Sequence, residues 1–473
     1  MIPTAVFAES DTATSDRGNP AVRDEQVNQT LEDIKRGEKD AEKKEGFSTN
    51  DFHLRYGGWI TNIYREYTNI DNEATKEDFL KASMEEDIYL WFSLKYRESY
   101  ALYFRLADSY IHRNVGTGYT GIGDDNEGPY VSAAYIQWDM GPEQNIPAKW
   151  TVGRQYYYLG RGLVYADIND GVMVEVEPPA YPIYIKYLIA HTRPHEDNID
   201  FSVPGFDKNG QRLFTGGEAD YLGLKDSVVY ILGLYQKSLY DPHPDDAVQQ
   251  YGYNSYYYGG GFSTKMWKPL EVWSEIVFEG GTSFTDTARV ALKESWIESW
   301  GWVSGANYHF DLPARPIAEI EFARGTGDGE RARVTNVGVG GDDDRQDRNF
   351  LYFGYYVAGY ALNPRLSNIN VLSGGGSFQP LIDAPVHPMF KKMALGMKYY
   401  YYRKDEQRSG TSDFESTSNS ADVGDEVNFY LHWQVTDQLR AGLRYGIFFP
   451  GGAFPEDTND PTKFFSASMT YSF

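Results

Sequence analysis

Residues Phe464–Phe473 of the 473-residue chain read FFSASMTYSF. Phe465, Ala467, Met469, Tyr471 and Phe473 share one parity, and Ser466, Ser468, Thr470 and Ser472 share the other. Side chains alternate across a strand, so this stretch has one apolar face and one small polar face. In a soluble sandwich the apolar face meets a core. In a barrel in lipid it meets acyl chains, while the polar face lines a lumen. Recurrence and connection of the pattern decide between the two.

The alternation recurs at 52–66, 84–97, 99–111, 130–140, 148–156, 171–177, 182–191, 213–224 and 227–237. It continues at 254–265, 270–281, 297–309, 315–325, 366–379, 390–403, 425–435, 438–449 and 463–473. About eighteen segments result, an even number as in single-chain bacterial barrels. Every second connection is short: Glu98, Gly141–Pro147, Pro178–Tyr181, Lys225–Asp226, Met266–Pro269, Phe310–Ala314 and Thr436–Gln438, with 380–389 a longer exception. The intervening ones, 67–83, 112–129, 192–212, 238–253, 282–296, 326–365, 404–424 and 450–462, are long and polar. A sandwich has no reason to alternate in this way. The expected fold is therefore all-β: a transmembrane antiparallel β-barrel of about 18 strands in a bacterial outer membrane, with short periplasmic turns and long extracellular loops.

Composition agrees. The chain is 41% hydrophobic with mean hydropathy −0.55, and no apolar run approaches the ~20 residues of a membrane helix. Entry into hydrocarbon then requires a closed barrel, in which every backbone group is paired. Aromatics at 16%, 39 Tyr and 47 Gly suit strands, girdles and tight turns. The absence of Cys excludes disulfides, thiolate metal sites and covalent c-type haem on this chain, and a net charge of −24 argues against nucleic acid. The opening MIPTAVFA resembles the tail of a signal peptide, with Val6 and Ala8 at the small-residue cleavage positions. Residues 1–8 are thus a signal-peptide remnant by this reading, 9–50 a polar periplasmic extension, and 51–473 the barrel.

Parity assigns faces. In 438–449 the apolar set from Leu439 to Phe449 faces lipid, which turns Arg440 and Arg444 to the lumen. By the same rule Lys398, Arg105, Arg55, Lys95, Arg97 and Lys186 point inward, since a charge facing lipid costs a few kcal/mol near the midplane. Glu175, Glu271, Glu275, Glu279, Glu319 and Glu321 share the inward parity. Such mixed charge forms either a pairing network that supports the wall or a ladder that selects anions.

Three stretches are more specific: Gly153-Arg154-Gln155, Ala323-Arg324-Gly325 before a long loop, and Arg365 followed by Leu366-Ser367-Asn368. With the terminal strand, they resemble the alginate-export family of outer-membrane barrels. That resemblance implies an electropositive pathway for a uronate polymer, with Arg154, Arg324 and Arg365 converging on a constriction. Arginine suits the task because it stays charged and grips carboxylates in a bidentate fork. Trp150 and Val152 put Arg154 on lipid parity unless a bulge at Gly153 turns it inward. The departures are Tyr135-Ile136, where the family exporter carries Arg-Glu, and the short turn Thr436–Gln438 in place of a periplasmic plug.

The functional expectation is a channel and not an enzyme, with no cofactor. It would pass an anionic saccharide or small anions through an Arg-lined lumen, with outer-membrane lipid around it. The alternative is a sheath or scaffold for a periplasmic partner, such as a multihaem cytochrome that brings its own haem. Gly116, Gly118 and Gly121 form a GxGxxG without strand-to-helix context, so a nucleotide role is set aside. Asp342, Asp343 and Asp344, with Asp347, are a weak Ca2+ candidate whose spacing departs from the known loop, and a solvated acidic loop is the plainer reading.

Overall fold

The computed structural model describes residues 46–49, 51–69, 72, 80–97, 99–115, 125–141, 147–192, 211–239, 253–285, 293–331, 345–413 and 415–473. The stretch read as a signal-peptide remnant, most of the expected extension, the GxGxxG and Asp342–Asp344 lie outside these residues.

Eighteen strands follow one another around the wall. They are β1 (Phe52–Thr68), β2 (Leu80–Tyr96), β3 (Tyr100–Val115), β4 (Asp125–Asp139), β5 (Ala148–Leu159), β6 (Tyr165–Val176), β7 (Ile183–His191), β8 (Arg212–Tyr221) and β9 (Ser227–Ser238). Then come β10 (Tyr253–Trp267), β11 (Leu270–Thr285), β12 (Lys293–His309), β13 (Ile317–Gly325), β14 (Ile369–Phe378), β15 (Met393–Lys404), β16 (Asp422–Gln434), β17 (Leu439–Pro450) and β18 (Thr462–Ser472). Each pairs antiparallel with its chain neighbours. Closure comes from β1 against β18, in register from Trp59 with Ser472 to Thr68 with Lys463. Closing the sheet removes its edges, the one way strands satisfy every backbone group in lipid. Two-residue pieces at Phe47–Ser48 and Gln346–Asp347 add to β1 and β12.

The alternation read from the terminal strand holds. Phe464 and Ser466 are buried toward the interior, while Met469 and Tyr471 are exposed on the outer face. Leu443, Tyr445 and Phe449 on β17 and Met397 and Tyr399 on β15 are likewise outward and exposed. The expected strands 148–156 and 171–177 are longer than their alternation indicated. β5 and β6 stay paired with each other as far as Leu159 with Tyr165, which makes one continuous hairpin. β4 leaves β5 at Arg154, and β7 leaves β6 at Asp170. Beyond that height the hairpin has no wall neighbours.

It turns into the barrel instead. Gly153 and Gly171 sit opposite each other at the departure point. Gly153 has φ +131°, a conformation that side chains rarely adopt, and a Cβ there would lie 2.2 Å from the Ala134 carbonyl oxygen. The bulge expected at Gly153 is therefore a bend, and the hairpin, more than the Arg154 side chain, is what it redirects.

Candidate functional site

The interior is built from the inward faces of the strands and from two segments folded into them. The first is the hairpin tip, whose residues Gly162–Ala166 are buried without interruption, as no surface loop would be. The Gly160 N–H donates to Glu218 on β8, and the Arg161 N–H donates to Glu275 on β11 at 2.7 Å. Arg161 lies over Trp273 at 5.0 Å. Lys186 on β7 pairs with Glu218 at 2.8 Å and caps the Tyr158 ring at 3.8 Å.

The second is the stretch from Phe350 to Asn368, part of the long connection between β13 and β14. Its backbone joins the hairpin: Phe353 N–H donates to Val164 O at 3.0 Å, and Tyr355 N–H to Gly162 O at 2.9 Å. The wall seats it through carboxylates again. Leu351 N–H donates to Glu279 on β11 at 3.0 Å. Tyr360, Ala361 and Leu362 all donate their N–H groups to Glu426 on β16, the last two at 2.9 Å. An inserted backbone brings donors with it, and a buried carboxylate with up to four acceptor sites satisfies several at once. Between segments and wall lies a hydrophobic core that includes Tyr157, Leu159, Tyr165, Leu188, Phe214 and Tyr352.

The inward glutamates thus have identifiable work. Glu175 pairs with Lys149 at 2.9 Å, Glu271 with Lys265 at 3.5 Å and Glu319 with Lys398 at 3.7 Å. Glu321 accepts from Tyr356 Oη at 3.0 Å. The pairing-network reading describes these residues well, with the addition that many of the partners are backbone N–H groups of the chain's own inserted segments.

The arginines taken from the family pattern do not converge. Arg154 is on the outward parity and forms a fork with Asp170, Nε to Oδ1 at 2.8 Å and Nη2 to Oδ2 at 2.9 Å, while Nη1 donates to Val131 O. Arg324 is outward too, over Trp300 at 4.8 Å and paired with Asp405 at 2.8 Å. Arg365 is buried inside the second segment, stacked on Tyr352 and donating to its carbonyl at 2.9 Å. These placements correct the expected constriction: two of the three arginines lie on the outer surface, and the third pins a loop. Arg97 is corrected as well, since it sits exposed in a turn beside Asp51.

Besides Lys186, and Arg55 and Lys95 on the parity of buried Trp59 and Trp91, four of the expected basic residues face inward. Arg105 is fully buried, its Nε donating to Ser132 Oγ at 2.8 Å, with Trp59 and Tyr89 at 5.7 and 5.4 Å. Lys398 is with Glu319 and Tyr400. On β17, Arg440 is exposed and Arg444 half-buried. They stand opposite Thr470 and Ser466 of β18, one strand from Thr61, whose hydroxyl meets that of Thr470 at 3.1 Å. Asp347, grouped with the Ca2+ candidate, is buried in an ion pair with Arg331. Among the described residues no three His, Asp or Glu gather in a metal-binding group.

Residues 232–466 match the alginate-export family. No curated protein sequence matches. Among solved structures, Pseudomonas aeruginosa OccK5 (OpdH) is similar at TM-score 0.53 and 12% identity, covering 91% of this chain and 100% of that one. Acinetobacter baumannii OccAB4 gives 0.53 and 12%, covering 90% and 99%. P. aeruginosa OccK2 (OpdF), solved in complex with glucuronate, gives 0.52 and 11%, covering 91% and 99%. At these identities the structures speak for the barrel fold. Together with the match over residues 232–466, they support an outer-membrane β-barrel channel similar to the alginate-export family.

Proposed function

We propose that this alginate-export-type barrel passes anionic saccharides and small anions passively, along the inward face of β16, β17, β18 and β1. Arg440 and Arg444 form the selective strip; Lys398 on β15, paired with Glu319, and the buried Arg105 on β3 also face inward but are covered. The observation that carries the reading is an imbalance of exposure. Glu218, Glu275, Glu279 and Glu426 are buried under the inserted segments, whereas Arg440 is exposed, with Thr470 opposite it on β18 and Gln434 opposite it on β16. Guanidinium groups hold carboxylates in forks, yet among small hydroxyls they leave room for a hydrated solute. A uronate is the favoured solute class, supported by the family match and by the glucuronate bound to the OccK2 neighbour. Movement is downhill, as the sequence carries no P-loop or other energy-coupling motif.

A sheath for a multihaem cytochrome needs an open bore. The space beside β7–β11 is packed with the chain's own Tyr and Leu residues, which gives that reading no support. The test is conductance of the purified chain in a planar bilayer as polyuronate is added. Concentration-dependent block that a neutral glucan of equal length does not produce is expected. Equal block by both polymers, or none by either, refutes the uronate assignment.

A further inference from the structure

The outer face at the extracellular rim carries an arrangement for which the conduit has no use. Strand registers put Arg324 of β13, Asn370 of β14 and Arg403 of β15 in one row across three neighbouring strands. The next outward row toward the membrane is Phe322, Leu372 and Tyr401. Adjacent strands are about 4.8 Å apart, so the two arginine backbones lie about 10 Å from each other. A cavity of about 600 Å³ opens here, lined by Phe322, Leu372, Tyr401, Asn370, Arg403 and Asp405 among others.

The polar row is incompletely used. Arg324 gives one terminal nitrogen to Asp405, and its Nε has no hydrogen-bond partner among the described residues. Asn370 Nδ2 makes a long contact of 3.5 Å to the same carboxylate. Glu406 faces Arg408 at 3.5 Å. Arg403 is exposed and has no ion-pair partner among the described residues. The row below it is apolar, with Leu372 and Tyr401 exposed.

We propose that this two-tier patch binds a phosphorylated acyl glycolipid of the outer leaflet. Its phosphates engage Arg324, Asn370 and Arg403, and its acyl chains lie over Phe322, Leu372 and Tyr401. Two features favour that occupant over a soluble anion or a one-phosphate lipid. The apolar tier lies directly on the membrane side of the charged one, so a bound head group has its chains pointing into the bilayer. The two arginines are two strands apart, a span suited to a wide head group with separated phosphates; Arg403 is exposed and offers a fork that matches phosphate, and Arg324 adds its remaining terminal nitrogen beside Asp405.

Native mass spectrometry of the full chain in detergent, titrated with bis-phosphorylated lipid A and with phosphatidylglycerol as competitor, tests this. Wild type should retain lipid A against the competitor. Arg403→Ala should bind it roughly tenfold more weakly, the worth of one charge-assisted hydrogen-bonding group. Heat-modifiable gel mobility reports folding of each variant. Asn370→Leu, which alters the row without removing a charge, gives the same readout should an arginine variant fail to fold. Equal lipid A affinity in wild type and variants, or displacement by phosphatidylglycerol at equal concentration, overturns the proposal.

Discussion

The interior carboxylates of β8, β11 and β16 and the arginines of β17 occupy equivalent positions in the alternation, yet their surroundings differ. Glu218, Glu275, Glu279 and Glu426 are buried, each accepting backbone N–H groups from a segment folded into the barrel. Arg440 and Arg444 stand between Thr470 and Ser466 of β18 and Gln434 and Tyr430 of β16, and are less buried. Parity settles that a side chain faces inward. What it meets there depends on whether the chain has folded back to fill the space, and only charge left accessible can act on a solute.

The sharpest way to break this contrast is at Glu279. It accepts from Tyr253, Tyr257, Ser299 and the Leu351 N–H. Glu279→Leu orphans these buried donors, at a cost of about 3–5 kcal/mol. The urea midpoint of the folded barrel, read by gel mobility, should fall accordingly, and an unchanged midpoint would deny the seating role. Next in size, Glu218→Gln with Glu275→Gln keeps the shape but weakens both anchors of the hairpin tip, roughly 1–3 kcal/mol apiece. Single-channel conductance should then rise and become noisy, whereas a quiet trace of wild-type amplitude would mean that the tip does not need them.

Gly153→Ala probes the bend itself. A side chain at that φ and 2.2 Å from Ala134 O costs about 1–3 kcal/mol of strain. The expected result is faster proteolysis within 155–169, and wild-type protection would locate the hinge elsewhere. The smallest effect belongs to Arg154→Ala. Its pair with Asp170 is on the outer face, with the Asp170 side chain 45% exposed, so stability should change by about 1 kcal/mol or less. Ion selectivity should not move, and a shifted reversal potential would return Arg154 to the pathway.

The sequence made the wall legible because lipid enforces the alternation: an outward charge or an unpaired strand edge is costly, so strands and faces leave a trace. The inserted segments leave a different trace. Phe350–Tyr360 reads FLYFGYYVAGY and Leu159–Tyr165 reads LGRGLVY, both strongly apolar inside what length and position mark as connections. A loop in water has no use for such residues, and that contradiction was the available signal of inward folding. The matched arginines misled for a related reason. Arg154, Arg324 and Arg365 flank the points where segments leave the wall, and a motif at a bend serves the bend as readily as the lumen. Register across strands, which no single sequence carries, separates the two.

The central claim is that the β17 arginines confer anion preference on the lumen. The most direct test is the zero-current potential across a planar bilayer in a tenfold KCl gradient, for wild type and for Arg440→Glu with Arg444→Glu. The account predicts an anion-selective potential in wild type that collapses or changes sign in the double variant. The same potential in both proteins would contradict it.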